Sequence, residues 1–176
     1  SESSAMLGSS FRGAYGRLGD TLTYFSGINS SFIFSNFRLM GSYFYGMSKP
    51  DLDQVGMVKD ISRLTSSSFN LTLYKASLLT EADSFGFSVS QPLKLESGEI
   101  NFSLPYRRTV KKEILFNDFT ASMGASGRQV DVEFIYSTPI RKGHLRSRIG
   151  VSKDQGHISS DKLQPFFETS WEFMKF

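Results

Sequence analysis

Residues 84–104 set the pattern for the chain. Phe85, Phe87 and Val89 alternate with Gly86, Ser88 and Ser90. Leu93 and Leu95 alternate with Lys94 and Glu96, and Ile100, Phe102 and Leu104 with Asn101 and Ser103. A repeat of two places the apolar side chains of a run on one face of an extended strand and the polar ones on the other. Ser97-Gly98 is turn chemistry, so the runs on either side of it are expected to form a β-hairpin. The alternation returns in 66–76 through Phe69, Leu71 and Leu73, and in 130–136 through Val130, Val132 and Phe134. Strand pairing aligns such rows, so Phe85, Phe87, Val89, Ile100, Phe102, Leu104, Val130, Val132 and Phe134 are expected to share one buried surface.

Elsewhere the same signals recur. Residues 31–47 carry Ile33, Phe37, Leu39, Tyr43 and Tyr45 on one parity, with Gly41 marking a bulge or bend. Residues 113–123, 144–152 and 166–176 also read as strands. Residues 51–64, after Lys49-Pro50, are the one stretch expected to carry a helical turn. The small, polar residues 1–10 read as a flexible leader and 11–176 as a single β-domain. Short strands at ~8–12 residue spacing with turns between them predict an all-β fold. The expected architecture is an antiparallel meander of about eight to ten strands, forming a barrel or barrel-like sandwich.

Composition narrows the class of protein rather than its activity. The 176 residues suffice to bury a core without staples. With 39% hydrophobic and 21% charged residues the chain is too apolar for disorder, and 17 Phe and 7 Tyr favour strands. No cysteine is present, which excludes disulfides and thiolate metal sites. A net charge of +3 lacks the one-sign stripe expected of a nucleic-acid binder, and no nucleic-acid partner is expected.

Catalytic chemistry is not written in the chain. His144 alternates with Arg146 and Arg148, as on a solvated face, and His157 sits in a polar turn. Neither belongs to a nucleophile motif, and Asp131 and Glu133 share a face that reads as exposed. No catalytic, metal or cofactor residue is assigned, and the domain is expected not to be an enzyme. Two basic groups remain as candidate contacts for anions or a partner. The first is Arg107, Arg108, Lys111 and Lys112; the second is Arg141, Lys142, Arg146 and Arg148.

Several segments in order carry a resemblance. They are Val58-Lys59-Asp60-Ile61-Ser62 followed by Thr65 to Phe69, then Phe87-Ser88-Val89-Ser90-Gln91-Pro92-Leu93-Lys94-Leu95-Glu96-Ser97-Gly98, then Ser126-Gly127-Arg128-Gln129-Val130-Asp131, with Leu104-Pro105 between and Gln155-Gly156-His157 near the end. Together they resemble the C-terminal region of large, autotransporter-like, subtilisin-like serine proteases of Gram-negative bacteria. The resemblance implies a non-catalytic accessory β-domain that follows a protease on the same chain. It would serve envelope anchoring, secretion or partner binding, at the cell surface, in the outer membrane or as a secreted protein. Its implied partners are the upstream protease domain or a component of the cell envelope. No catalytic residue of that family can be carried over.

The terminal run 171–176 resembles the closing strand of an outer-membrane barrel, yet Glu168 and Glu172 share the parity of Phe176. Lys75, Gln91, Asp118 and Glu168 interrupt the expected outward rows, and a charge at mid-bilayer costs ~2–4 kcal/mol. On the sequence the balance therefore favours a soluble relative, with a soluble module for an apolar ligand or a protein partner as the alternative function.

Overall fold

The computed structural model describes residues 10, 13–140 and 143–173. The expected leader, apart from Ser10, lies outside the described residues, as do Arg141, Lys142 and Phe176. Among the described residues the chain is all-β and antiparallel. A 3-10 turn at Gly13–Tyr15 precedes β1 (Gly16–Leu18), β2 (Leu22–Phe34), β3 (Phe37–Lys49), β4 (Leu52–Val55), β5 (Val58–Ile61) and β6 (Leu64–Ala76). There follow β7 (Ser84–Ser97), β8 (Glu99–Arg108), β9 (Ile114–Ser122), β10 (Val130–Ile140) and β11 (Gly143–Lys153). A second 3-10 turn at Gln155–His157 then leads to β12 (Leu163–Phe173).

Seven strands form one sheet in the order β12-β11-β10-β7-β6-β3-β2, while β5-β8-β9 and β1-β4 form smaller ones. The meander is thus broken twice, because β6 follows β3 in the large sheet and β10 follows β7. The chain packs as two compact units. The first comprises Ser1–Ser26, Tyr45–Ser67 and Leu95–Ala125; the second comprises Gly27–Phe44, Ser68–Lys94 and Ser126–Phe176. Strands β2, β3, β6 and β7 contribute residues to both.

The first unit holds a conventional core. Leu18, Val58, Ile61 and Leu64 are buried together, and Leu52, Leu95, Ile100, Phe102 and Met123 pack against them. This core explains two departures from the sequence reading. Residues 51–64 form β4 and β5 rather than a helical turn: Leu52 pairs with Leu18 across the β1–β4 ribbon, and Met57 N–H bonds the Ala14 carbonyl at 2.9 Å. Tertiary packing outweighs a weak local preference here. The expected hairpin at Ser97-Gly98 is also absent. Gly98 is extended (φ 158), and β8 pairs with β5 and β9 instead. Ser62 captures the start of β8, its N–H bonding the Glu99 carbonyl at 2.9 Å and its hydroxyl accepting from Glu99 N–H at 2.8 Å. A Cβ at Gly98 would collide with Leu64, so the glycine serves close packing rather than a turn.

The nine apolar residues expected to share one buried surface are therefore divided. Ile100 and Phe102 pack on the core of the first unit, whereas Phe85, Phe87, Val89, Val132 and Phe134 lie in the second. Unequal costs follow for truncation, measured by urea unfolding of the full chain. Leu64→Ala, at a fully buried site, should lose ~2–5 kcal/mol. Phe134→Ala should lose only ~0.5–1.5 kcal/mol, from ring stacking with Phe85 and Phe87.

Candidate functional site

Strand register builds the widest surface of the second unit. Val89, Val132, Val151 and Pro165 lie side by side, and the next row is Phe87, Phe134, Ile149 and Phe167. Phe85, Tyr136, Ser147 and Thr169 follow, then Thr138, Leu145 and Trp171. Phe37, Leu73 and Lys75 extend this face, sharing a cleft of about 260 Å³ with Phe85 and Phe87, and Phe34 stacks on Phe37 at 5.5 Å. At the end of β12, Trp171 and Phe173 stack at 4.6 Å. These side chains do share a face, as the alternation requires, but they are not buried. Phe134 is 46% exposed and Phe167 70%, and Phe87, Ile149 and Trp171 are exposed as well.

The opposite face carries the polar half of the alternation, and along β6 and β7 it is the buried half. Ser88 is 1% and Thr72 4% exposed. Their hydroxyls lie 3.0 Å apart, Asn70 Nδ2 donates to Ser88 Oγ at 3.2 Å, and Thr72 Oγ1 donates to Asn70 Oδ1 at 2.8 Å. Toward β11 and β12 this face holds charges in balance: Arg148 pairs with Glu168 and, at 3.4 Å, with Glu133.

This arrangement removes most of the interruptions anticipated on the outward rows. The outward row of β12 runs through Leu163, Phe167, Trp171 and Phe173, so Glu168 and Glu172 fall on the polar side. Gln91 is buried and accepts a hydrogen bond from Arg128. Asp118 belongs to β9 of the first unit, opposite Ser103. Lys75 does stand on the apolar face, at the end of β6 with its Nζ 5.6 Å from the Phe37 ring centre.

The two basic groups prove unlike each other. Arg146 and Arg148 line a cleft of about 400 Å³ with Glu168, Ser170 and Glu172, a mixed-charge setting; Arg141 and Lys142 lie outside the described residues. Arg107, Arg108, Lys111 and Lys112 all stand exposed around the β8–β9 turn.

Three of the segments that carry the family resemblance meet in one polar clasp. Gln129 N–H donates to His157 Nδ1 at 3.0 Å, which leaves Nε2 to donate to the Leu93 carbonyl at 3.1 Å. The Gln129 side chain donates to both Asp131 oxygens, at 3.0 and 2.9 Å, and accepts from Gly156 N–H at 2.8 Å. Asp154 accepts from Ser160 N–H at 2.9 Å and Arg128 N–H at 3.3 Å. Asp154, Gly156 and His157 all take positive φ, a conformation that these bonds hold in place. His157 thus bonds the backbone through both ring nitrogens. His144 Nδ1 lies 3.1 Å from Ser137 Oγ, but among the described residues no carboxylate pairs with that histidine to orient it. Among the described residues no cluster of three or more His, Asp or Glu could hold a metal ion, and no helix is long and apolar enough to cross a membrane.

Sequence reasoning identified the apolar rows but assigned them to an interior. The signal that could have corrected it is the opposite parity, where Ser, Thr, Asn and Gly recur at positions too small and too polar for a solvated, charged strand face. Compared with known proteins, the chain matches no family, no curated protein and no solved structure.

Two loop carboxylates give the second unit a pH dependence. Burial raises the pKa of Asp83, but the N–H groups of Leu79, Leu78 and Thr80, at 2.7–3.0 Å, and the Tyr136 hydroxyl hold it below the ordinary 3.8. The Ser160 and Arg128 N–H groups likewise depress Asp154, against burial and with help from Lys153. A depressed folded-state pKa stabilises above the unfolded value and is lost as pH falls through the folded one. Amides of residues 78–80 and 160 should therefore lose hydrogen-exchange protection below pH 3.8. Asp83→Asn and Asp154→Asn should each abolish that dependence in its own loop.

Proposed function

We propose that the chain is a non-catalytic β-domain that anchors an exported protein to an outer membrane, with the apolar face of its seven-stranded sheet turned to lipid. One observation carries the reading: the alternation is inverted, with Phe87, Phe134, Ile149 and Phe167 exposed while Ser88 and Thr72 are buried. A bilayer is the solvent in which that arrangement is favourable. Strand length supports it, since a spanning strand needs ~9–11 residues and β10, β11 and β12, which lie wholly in the second unit, have 11 each. Charge placement supports it too. Among the described residues, the charged residues on the outward rows of the second unit are Lys75 and Lys153, at the ends of β6 and β11.

The sequence resemblance supplies the parent context, in which the exported protein is a subtilisin-like protease of a Gram-negative cell envelope. The alternative, a soluble module for an apolar ligand, has weaker support. The apolar side chains look outward, and the cleft of about 260 Å³ among them falls below the ~300–1,000 Å³ of ordinary ligand pockets.

Fractionation tests the proposal. Expressed with an export signal, the chain should be recovered from membranes with detergent and should show heat-modifiable gel mobility; a monodisperse, detergent-free monomer overturns the reading. Phe134→Lys or Phe167→Lys should each weaken folding into lipid vesicles by ~2–4 kcal/mol if the site lies at mid-depth. Arg146→Lys, on the polar face, should leave it within ~0.5 kcal/mol.

A further inference from the structure

We propose that the tip of the β8–β9 hairpin is a docking surface for the anionic headgroups of a lipid bilayer. It stands on a different sheet and a different force from the proposed lipid-facing sheet, and neither reading requires the other. Arg107, Arg108, Lys111 and Lys112 are all exposed there, and among the described residues none of them has an ion-pair partner. Residues 106–116 hold these four cations and one acid, Glu113, for a net +3. That equals the net charge of the whole chain, so all of the excess charge is accounted for by one hairpin tip.

The apolar residues of the tip select the kind of anion. Val110 is fully exposed at the apex between the two basic pairs, and Tyr106, Ile114 and Phe116 are more than half exposed. Register places Arg107 opposite Leu115 and Arg108 opposite Ile114, so each face of the hairpin carries a cation beside an aliphatic group. An acidic protein or a nucleic-acid backbone would satisfy the cations and leave the aliphatic groups in water. A bilayer interface takes both, phosphates on the cations and apolar side chains at the acyl boundary.

The apex is also fixed in advance. Thr109 N–H bonds the Glu113 carbonyl at 2.8 Å, Thr109 Oγ1 accepts from Glu113 N–H at 3.1 Å, and Lys112 N–H bonds the Thr109 carbonyl at 2.9 Å with Lys112 at φ 68. A preformed turn loses little freedom when it docks.

Vesicle co-sedimentation of the full chain tests this, using phosphatidylcholine alone against phosphatidylcholine mixed with phosphatidylglycerol. Each cation near an anionic surface contributes about fivefold in affinity. The wild type should therefore prefer the mixed vesicles by ~100-fold or more at low salt, and less as salt screens the surface. Replacing all four cations (Arg107→Gln, Arg108→Gln, Lys111→Gln, Lys112→Gln) should abolish the preference while the far-UV circular dichroism stays unchanged. Val110→Asp should reduce it. A preference retained in the fourfold variant, no preference in the wild type, or binding of soluble polyglutamate as tight as to the mixed vesicles would overturn the proposal. Binding to phosphatidylcholine alone reports on the sheet face, so the two readings fail separately.

Discussion

A strict alternation of side chains, with the polar set paired among itself, is the constraint on which the second unit rests. An extended strand must send successive residues to opposite faces. Burying the Ser, Thr and Asn set is tolerable only because its members satisfy one another. The knot of Asn70, Thr72 and Ser88 does this at hydrogen-bond distances of 2.8–3.2 Å. An unsatisfied buried hydroxyl costs ~1–3 kcal/mol, so the knot is demanding. Among the described residues Ser152 Oγ is the buried side-chain atom left without a partner. Once the polar side is closed in this way, the phenylalanines have nowhere to go but outward.

The first unit solves folding the ordinary way. Leu18, Val58, Ile61 and Leu64 form a small apolar cluster, ringed by half-buried neighbours such as Ile100 and Phe102. Polar side chains are buried in this unit too: Ser67, 6% exposed, donates to Glu96 Oε1 at 2.6 Å, and Thr21, Ser48, Ser66 and Ser103 are buried as well. One chain thus buries an apolar cluster in its first unit and turns rows of phenylalanine outward in its second, both on the same period-two code. Counting apolar positions does not distinguish them, because Phe102 and Phe134 occupy equivalent places in their runs.

That equivalence explains what could and could not be read in advance. The strands at 66–76, 84–97 and 130–140 were legible because alternation is local. Which face was inside was not, because burial depends on what a strand pairs with, and β8 leaves the neighbourhood of β7 for β5 and β9. Ser97-Gly98 looked like a turn for the same reason: glycine signals either a reversal or a close approach, and only the position of Leu64 decides between them. The basic groups were visible as charge, but only the structure separates a free hairpin tip from arginines set among glutamates. His157 read correctly as a turn residue. Its two ring bonds and the convergence of 91–93, 126–131 and 155–157 are long-range facts that spacing along the chain does not carry.

If the apolar face of the sheet is turned to lipid, as proposed, one further condition applies to it. Hydrocarbon offers no partner for backbone N–H and C=O groups, so a spanning sheet has to be free of open edges. The large sheet has two, β12 and β2. Strand β2 lacks the usual edge protections: its 13 residues, Leu22–Phe34, include no charge and no proline. Such a strand is suited to pairing on both sides. Because seven alternating strands separate into four of one direction and three of the other, β2 and β12 run the same way. Joined directly they would form a parallel pair, whereas antiparallel closure requires an odd number of strands from outside this sheet. On the proposed reading, the backbone groups of β2 and β12 would therefore have to be paired by further strands before the sheet could sit in lipid.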